Sequence, residues 1–340
     1  MPPMPGGFAQ LVPAIAFAFG ASALVTWLLL RARADLPQDA PNERSLHYAP
    51  LPRGGGLAIW AGWLPVALWT SFPANGGLAL WLVPWAALAL VSLRDDVRAL
   101  GVGVRLLVHA FAALWFGVAL AWPAATALSA PAVLLALSLA AVVAWSINLY
   151  NFMDGNDGLA ATMAILGFAA YGAGAIIAGT HAATYFALAA ATVPFFVVNR
   201  PPSRIIMGDV GAVPMGFLAA ALGLAAIVAG TWPAWFPLLV FLPFVADATV
   251  TLTRRACRGE RLWEAHRTHY YQRLHQLGAG HRGTLAIYGA WMAGSGLTAV
   301  ACLQWQPTWG WPALGAWSGA GAALFVTIDY HWRMKMRAER

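Results

Sequence analysis

Apolar runs of about 17 to 23 residues recur from one end of the chain to the other, the length a helix needs to cross a hydrocarbon layer about 30 Å thick. No other feature restricts the fold as severely. Of the 340 residues, 60% are hydrophobic and 10% charged, where a soluble domain would carry roughly 25% charged residues. The chain therefore reads as an all-α, polytopic membrane protein. Eleven spans are expected, at about residues 8–30, 55–73, 77–93, 103–122, 130–147, 158–178, 182–198, 211–229, 234–252, 284–303 and 309–329, with ends placed to roughly two to four residues.

An odd number of spans puts the termini on opposite sides. With the N-terminus outside and the C-terminus cytoplasmic, the inner segments are 31–54, 94–102, 148–157, 199–210, 253–283 and 330–340. All 20 Lys and Arg then fall in or at the edge of these segments, Arg105 at the margin, which is the positive-inside pattern. The net charge of +7 describes one membrane face; it favours anionic lipid and anionic substrates and does not argue for nucleic acid. Of 13 Asp and Glu, only Asp247 and Asp329 lie within spans. The chemistry is expected on the cytoplasmic side. Outer connections are short and rich in turn formers, as in Phe72-Pro73-Ala74-Asn75-Gly76-Gly77 and Gln304-Trp305-Gln306-Pro307.

The two cysteines, Cys257 and Cys302, offer neither a disulfide framework nor a thiolate metal site. The first span has no basic residues ahead of its apolar run and reads as a retained helix rather than a signal peptide. No composition shift marks a second soluble domain, and no internal repeat is evident. Residues 1–340 are expected to form one transmembrane domain with its active-site loops at 31–54, 94–102, 148–157, 199–210 and 253–283.

Five polar clusters interrupt the apolar sequence. Asp95-Asp96 ends the third span, where paired carboxylates suit a magnesium ion or a phosphate-side base, or are solvated loop charge. Asn148, Asn151, Asp154 and Asp157 recur every three residues among Gly155 and Gly158, just ahead of the sixth span; this exceeds what helix capping needs and points to ligand binding. Asp209, in Met207-Gly208-Asp209, is expected to cap the eighth span and, compatibly, to hold metal while free first-turn amides face phosphate. The run His266-Arg267-Thr268-His269 would set both histidines on one helical face, for diphosphate or leaving-group contact. Its bland alternative is a solvated amphipathic helix, with Trp263, Tyr270 and Tyr271 as interfacial anchors. Finally, residues 41–59 carry Pro52-Arg53-Gly54-Gly55-Gly56, a plausible anion nest with Arg53 as phosphate contact, or glycines that serve helix packing. Asp247, inside the ninth span, is a functional or a structurally paired carboxylate. Hard carboxylate oxygens with arginines and glycines suit a magnesium-diphosphate substrate.

In order, these stretches resemble the polyprenyl-phosphate N-acetylhexosamine-1-phosphate transferases of glycosyltransferase family 4. The match runs through His47 with Pro52-Arg53-Gly54-Gly55, Asp95-Asp96 followed by Arg105-Leu106-Leu107, Asn148 to Gly158, Gly208-Asp209-Val210-Gly211, and His266 with His269-Tyr270-Tyr271-Gln272-Arg273-Leu274. The resemblance implies transfer of an N-acetylamino-sugar 1-phosphate from a UDP-sugar to undecaprenyl phosphate, with UMP released, at the bacterial inner membrane. It implies Mg²⁺, with Mn²⁺ as an alternative, held by Asp209, Asn151 and Asp154. Asp95 or Asp96 would deprotonate or position the lipid phosphate, Asp157 would orient nucleotide or nucleophile, and His266 and His269 would complete the catalytic set. His47, Arg53, Asn148, Arg105 and Arg267 would contact substrate. A homodimer is expected by analogy. The histidine run differs from the adjacent histidines typical of the peptidoglycan lipid I translocase, the related alternative, and Ala212 replaces the small hydroxyl residue usual after Gly211. A transporter built on the same carboxylates is the rival of another class.

Overall fold

The computed structural model describes residues 7–40, 46–47, 49–70, 79–121, 129–261 and 266–338. Trp263, the outer turn at 72–77, residues 41–45 and Tyr48 lie outside the described residues. The helices are α1 (Gly7–Arg31), α2 (Gly56–Trp69), α3 (Ala79–Val97), α4 (Val102–Ala121), α5 (Ala130–Phe152), α6 (Leu159–Ile177), α7 (Ala183–Asn199), α8 (Asp209–Val228), α9 (Trp235–Val240), α10 (Leu242–Cys257), α11 (Tyr270–Leu274), α12 (Gly280–Trp305) and α13 (Gly310–Ala338). A two-residue antiparallel pair, β1 (Gln38–Asp39) and β2 (Leu51–Pro52), precedes α2. Seven helical stretches are long and apolar enough to cross a membrane, and α2 and α7 are shorter apolar helices. The chain is an all-α membrane protein. Large apolar side chains such as Leu107, Leu134 and Leu297 point outward, where hydrocarbon solvates them without penalty.

Each expected span contains helix, but several ends move. The run at 234–252 is broken between α9 and α10 at Phe241, because Pro243 has no amide to continue the ladder and its ring excludes the preceding turn. Helix α5 runs on through Asn148 and Asn151 to Phe152, so the loop expected at 148–157 shrinks to the turn at 153–158. Helix α3 likewise carries Asp95 and Asp96 in its last turn.

Helix α8 lies at the centre, packed against α2, α3, α4, α5 and α6, and its Ala- and Gly-rich sequence lets those neighbours approach closely. Between α2 and α3, Trp60, Trp63, Trp81 and Trp85 meet mostly edge-to-face, with centroids 5.4 Å apart for Trp60–Trp85 and 5.5 Å for Trp63–Trp81. Trp60 also donates its indole N–H to the Val210 carbonyl at 2.7 Å. This ties α2 to the first turn of α8, where the polar clusters meet.

Candidate active site

The first turn of α8 is built by a carboxylate from another helix. Gly208 precedes it with φ +75°, and a Cβ there would lie 2.6 Å from Asp96 Oδ2, so only glycine lets the two segments meet. Asp96 Oδ1 accepts the Asp209 amide at 3.1 Å, and Oδ2 accepts the Val210 amide at 2.9 Å. The amides of Gly211 and Ala212 turn back to the Gly208 carbonyl. Asp209 is therefore not the cap: Asp96 fills that role, and the amides expected to face phosphate are already taken. An anion at this end of the helix is favoured by the exposed N–H dipoles, and the protein supplies its own.

The glycine run before α2 is not an anion nest either. Gly55 and Gly56 donate to the carbonyls of Ile206 and Met207 at 3.0 and 2.9 Å, and Ile206 donates to Pro52 at 2.9 Å. A Cβ on Gly56 would sit 2.3 Å from the Gly211 Cα. These glycines let the α2 entrance lie backbone-to-backbone against α8, which fixes Arg53 beside the carboxylates. Arg53 pairs with Asp39 and, at 3.5 Å, with Asp96 Oδ1.

Asp95 accepts the Leu100 amide at 2.5 Å and Arg105 at 3.2 Å. The same Arg105 nitrogen lies 3.7 Å from Asp209 Oδ2. Asp154, in the turn after α5, has no hydrogen-bond donor to its carboxylate among the described residues. Burial, and then the negative charges of Asp209, Asp96, Asp39 and Asp157, hold it well above the usual carboxylate range. Among the described residues, Asp39, Asp95, Asp96 and Asp209 share two arginines, Arg53 and Arg105, while the charges that act on Asp154 are acidic, so this cluster is short of positive charge. Asn151, in the last turn of α5, and Asn148, which donates to the Ala144 carbonyl at 2.7 Å and bonds to His109, flank this region.

On the other side of the turn, Asp157 is nearly buried, with 3% of its side chain exposed. Its Oδ1 pairs with His47 Nε2 at 2.6 Å and its Oδ2 accepts the Ser203 amide at 3.0 Å. Burial raises its pKa, but the His47 hydrogen bond, the charges of His281 and His47 and the Ser203 amide outweigh it and leave the carboxyl below its ordinary value. Asn199 accepts the Gly158 amide at 3.0 Å and donates to the Ile205 carbonyl at 2.9 Å, joining this turn to the segment that leads into α8.

The histidine segment is extended up to residue 269, and helix begins only at Tyr270. The expected shared helical face is absent, yet the His266 and His269 rings still stack at 4.9 Å. The segment is partly exposed at Arg267 and buried at His269, and it is not an amphipathic surface helix. Tyr270 and Tyr271 are buried rather than interfacial: Tyr271 donates to the Phe152 carbonyl at 2.9 Å, and Tyr270 stacks on Phe325. Asp247, fully buried, accepts the amides of Tyr270 and Tyr271, both at 2.9 Å, and the Tyr288 hydroxyl at 2.5 Å, and pairs with His269 Nδ1 at 3.3 Å. It anchors the histidine segment; it is structurally paired. Arg267 is exposed.

The structure therefore brings all five clusters together: Arg53 to Asp96, Asp96 to Asp209, His47 to Asp157, Ser203 to Asp157, and Tyr271 to Phe152. Sequence reading passed over Asp39, Asn199, Ser203 and His281. Only His281 carried a local signal, a histidine immediately after Gly278-Ala279-Gly280.

Residues 78–227 match the family model described as glycosyl transferase family 4. The chain is 25% identical over 261 residues to the probable undecaprenyl-phosphate N-acetylglucosaminyl 1-phosphate transferase of Bacillus subtilis (strain 168), covering 74% of this chain and 73% of that protein. It is 27% identical over 332 residues to the decaprenyl-phosphate N-acetylglucosaminephosphotransferase of Mycobacterium tuberculosis (strain H37Rv), covering 85% and 81%. Similarity to the phospho-N-acetylmuramoyl-pentapeptide-transferase of Streptococcus pneumoniae (strain Taiwan19F-14), 28% identical, spans 37% of this chain and 39% of that one. The motif order and these matches together make the chain similar to glycosyl transferase family 4, with the family model covering residues 78–227.

Proposed function

We propose that this protein transfers an N-acetylamino-sugar 1-phosphate from a UDP-sugar to undecaprenyl phosphate, forming undecaprenyl-diphosphate sugar and releasing UMP. The observation that carries this reading is a carboxylate cluster short of positive charge, with Arg53 and Arg105 at its edge, built where the motif segments meet. Relatives named for the same transfer to polyprenyl phosphates support it over most of the chain. The shorter match to the muramoyl-pentapeptide enzyme makes that reaction the alternative.

A phosphate oxygen of the lipid attacks the β-phosphorus of the donor; the bond from that phosphorus to the bridging oxygen breaks, and UMP leaves with the electron pair. A phosphate monoester with a second pKa near 6 is mostly ionised at neutral pH, so no strong base is needed. Asp95 and Asp96, with their oxygens engaged by amides and arginines, position Arg53 and Arg105 for phosphate oxygens rather than take a proton. Asp154, without a hydrogen-bond donor to its carboxylate among the described residues, offers with Asp209 and Asn151 the hard oxygen donors that suit Mg²⁺ or Mn²⁺. When bound, the ion supplies neutralisation of diphosphate charge. Asp157, held by His47, orients nucleotide or nucleophile, and His266, His269 and Arg267 border the leaving group. Direct displacement is preferred to a covalent aspartyl intermediate.

We extend the reading to eleven membrane crossings with the N-terminus outside, the site facing the cytoplasm at the bacterial inner membrane, and a homodimer carried over from the resemblance alone. The test is a radiolabel transfer assay with purified protein, undecaprenyl phosphate, a panel of UDP-N-acetyl sugars and UDP-MurNAc-pentapeptide, with Mg²⁺ or EDTA. Metal-dependent lipid labelling with UMP release, abolished by Asp209→Ala, is expected. Transfer only from the muramoyl donor moves the assignment to the alternative, and a folded protein inactive with every donor overturns the reading.

A further inference from the structure

Gly278-Ala279-Gly280-His281 belongs to none of the motifs used above. Gly278 has φ +106° and Gly280 φ +60°, left-handed values that disfavour any side chain. Between α11 and α12 the backbone therefore kinks at Gly278, whose non-helical conformation interrupts the turn His275–Ala279. Together the two glycines turn the start of α12 so that His281 faces the catalytic turn and the His47 segment.

Several contacts, among them the edge of the His275 ring with centroids 4.4 Å apart, converge on His281. Its Nδ1 accepts the backbone N–H of Asp157 at 3.2 Å, and its own carbonyl accepts the Asn156 side-chain amide at 3.2 Å. Its ring stacks on His47, centroids 4.9 Å apart and planes within 18°. The Leu46 carbonyl faces the same ring. One ligand atom each from His47, Asp157 and His281 lie within 4.8 Å of one another, a spacing compatible with a metal ion. The hydrogen bonds argue otherwise. The His281 Nδ1 lone pair is committed to an amide, and Asp157 Oδ1 is committed to His47. The trio is a hydrogen-bonded clamp in which His281 must be unprotonated at Nδ1.

We propose that His281 is a positioning residue: it fixes the Asp157 backbone and the plane of the His47 ring, so that the Asp157 carboxylate is presented to substrate in one orientation. The proposal deepens the transferase reading, on which its activity arm rests. Small displacements of an orienting group are costly, on the order of 100-fold for about 1 Å. His281 touches no reacting atom in this arrangement, so its effect passes through Asp157.

The test uses the purified full chain with His281→Ala, His281→Asn, Asp157→Asn and the His281→Ala/Asp157→Asn pair. Hydrogen exchange of the 153–158 peptide and steady-state kinetics are read in parallel. His281→Ala should speed exchange in 153–158, leave the interior of α8 unchanged, and lower kcat by about 10- to 100-fold with KM for the UDP-sugar within about 3-fold. His281→Asn keeps an acceptor near the Nδ1 position and should restore much of both. In the Asp157→Asn background, His281→Ala should cost less than about 3-fold more, because the two act as one unit. Unchanged exchange and kcat in His281→Ala, or fully additive losses in the pair, would overturn the proposal. If exchange responds as expected but the wild-type protein transfers from no donor, the clamp stands and the transferase reading is what fails.

Discussion

With both oxygens of Asp96 holding the first turn of α8 and its side chain 2% exposed, replacing it strips two amides of their acceptor and leaves Arg53 with Asp39 alone. Asp96→Ala should lower stability by about 3 kcal/mol, the cost of leaving two buried amide donors without an acceptor. Asp95→Ala, whose partners Leu100 and Arg105 are closer to solvent, should cost less; thermal unfolding in detergent compares the two. Gly208→Ala combines a strained φ with a contact to Asp96 Oδ2 and should abolish transfer even where protein accumulates. None of this was legible locally. Asp96 and Val210 are 114 residues apart, and a cap supplied across that distance leaves no mark at Gly208-Asp209 beyond the glycine itself. The residue types of the cluster were legible, because carboxylates and arginines amid apolar sequence need a reason to be there.

Among the elements, the segment running into α11 shows most plainly how tertiary contacts override a local pattern. His266 and His269 at a spacing of three suggested a helical face, but Asp247 captures the Tyr270 and Tyr271 amides and so fixes where helix begins. Tyr271→Phe removes the hydrogen bond to Phe152 and should raise hydrogen exchange across 266–274 while reducing kcat/KM by about 3- to 10-fold, a loss of roughly 1 kcal/mol. The same segment confers a pH dependence. Burial, then His269 and Arg255, push the His266 pKa from 6.5 to about 4. The unfolded chain therefore binds more protons than the folded one between those values, and stability falls as pH drops through that window. The melting temperature should decline from pH 7 to pH 4.5, and the decline should be shallower in His266→Gln.

For the molecule as a whole, length and hydropathy located the helices well, since a hydrocarbon layer sets a minimum run that a sequence displays openly. They located the helix ends poorly: α5 absorbs Asn148 and Asn151, and Pro243 divides α9 from α10. The proposed orientation has a direct check. Cys257 is exposed at the end of α10 and Trp309 is exposed in the short turn before α13. In intact cells, a membrane-impermeant maleimide should label Trp309→Cys in a Cys257→Ser background and should reach Cys257 only after permeabilisation; the reverse pattern inverts the topology.

The occupied N-terminus of α8 bears on inhibitor chemistry. A substrate mimic that aims a carboxylate or sulfonate at that helix end meets Asp96 already seated there, and gains only repulsion. A cationic or metal-chelating group placed near Asp154 and Asp209 meets the opposite situation, carboxylates that outnumber the described arginines beside them, with burial and the charge of Asp209 holding the Asp154 pKa up. Affinity in such a series should track the positive or chelated charge delivered to those carboxylates, and should be indifferent to how well the anion imitates diphosphate at the helix.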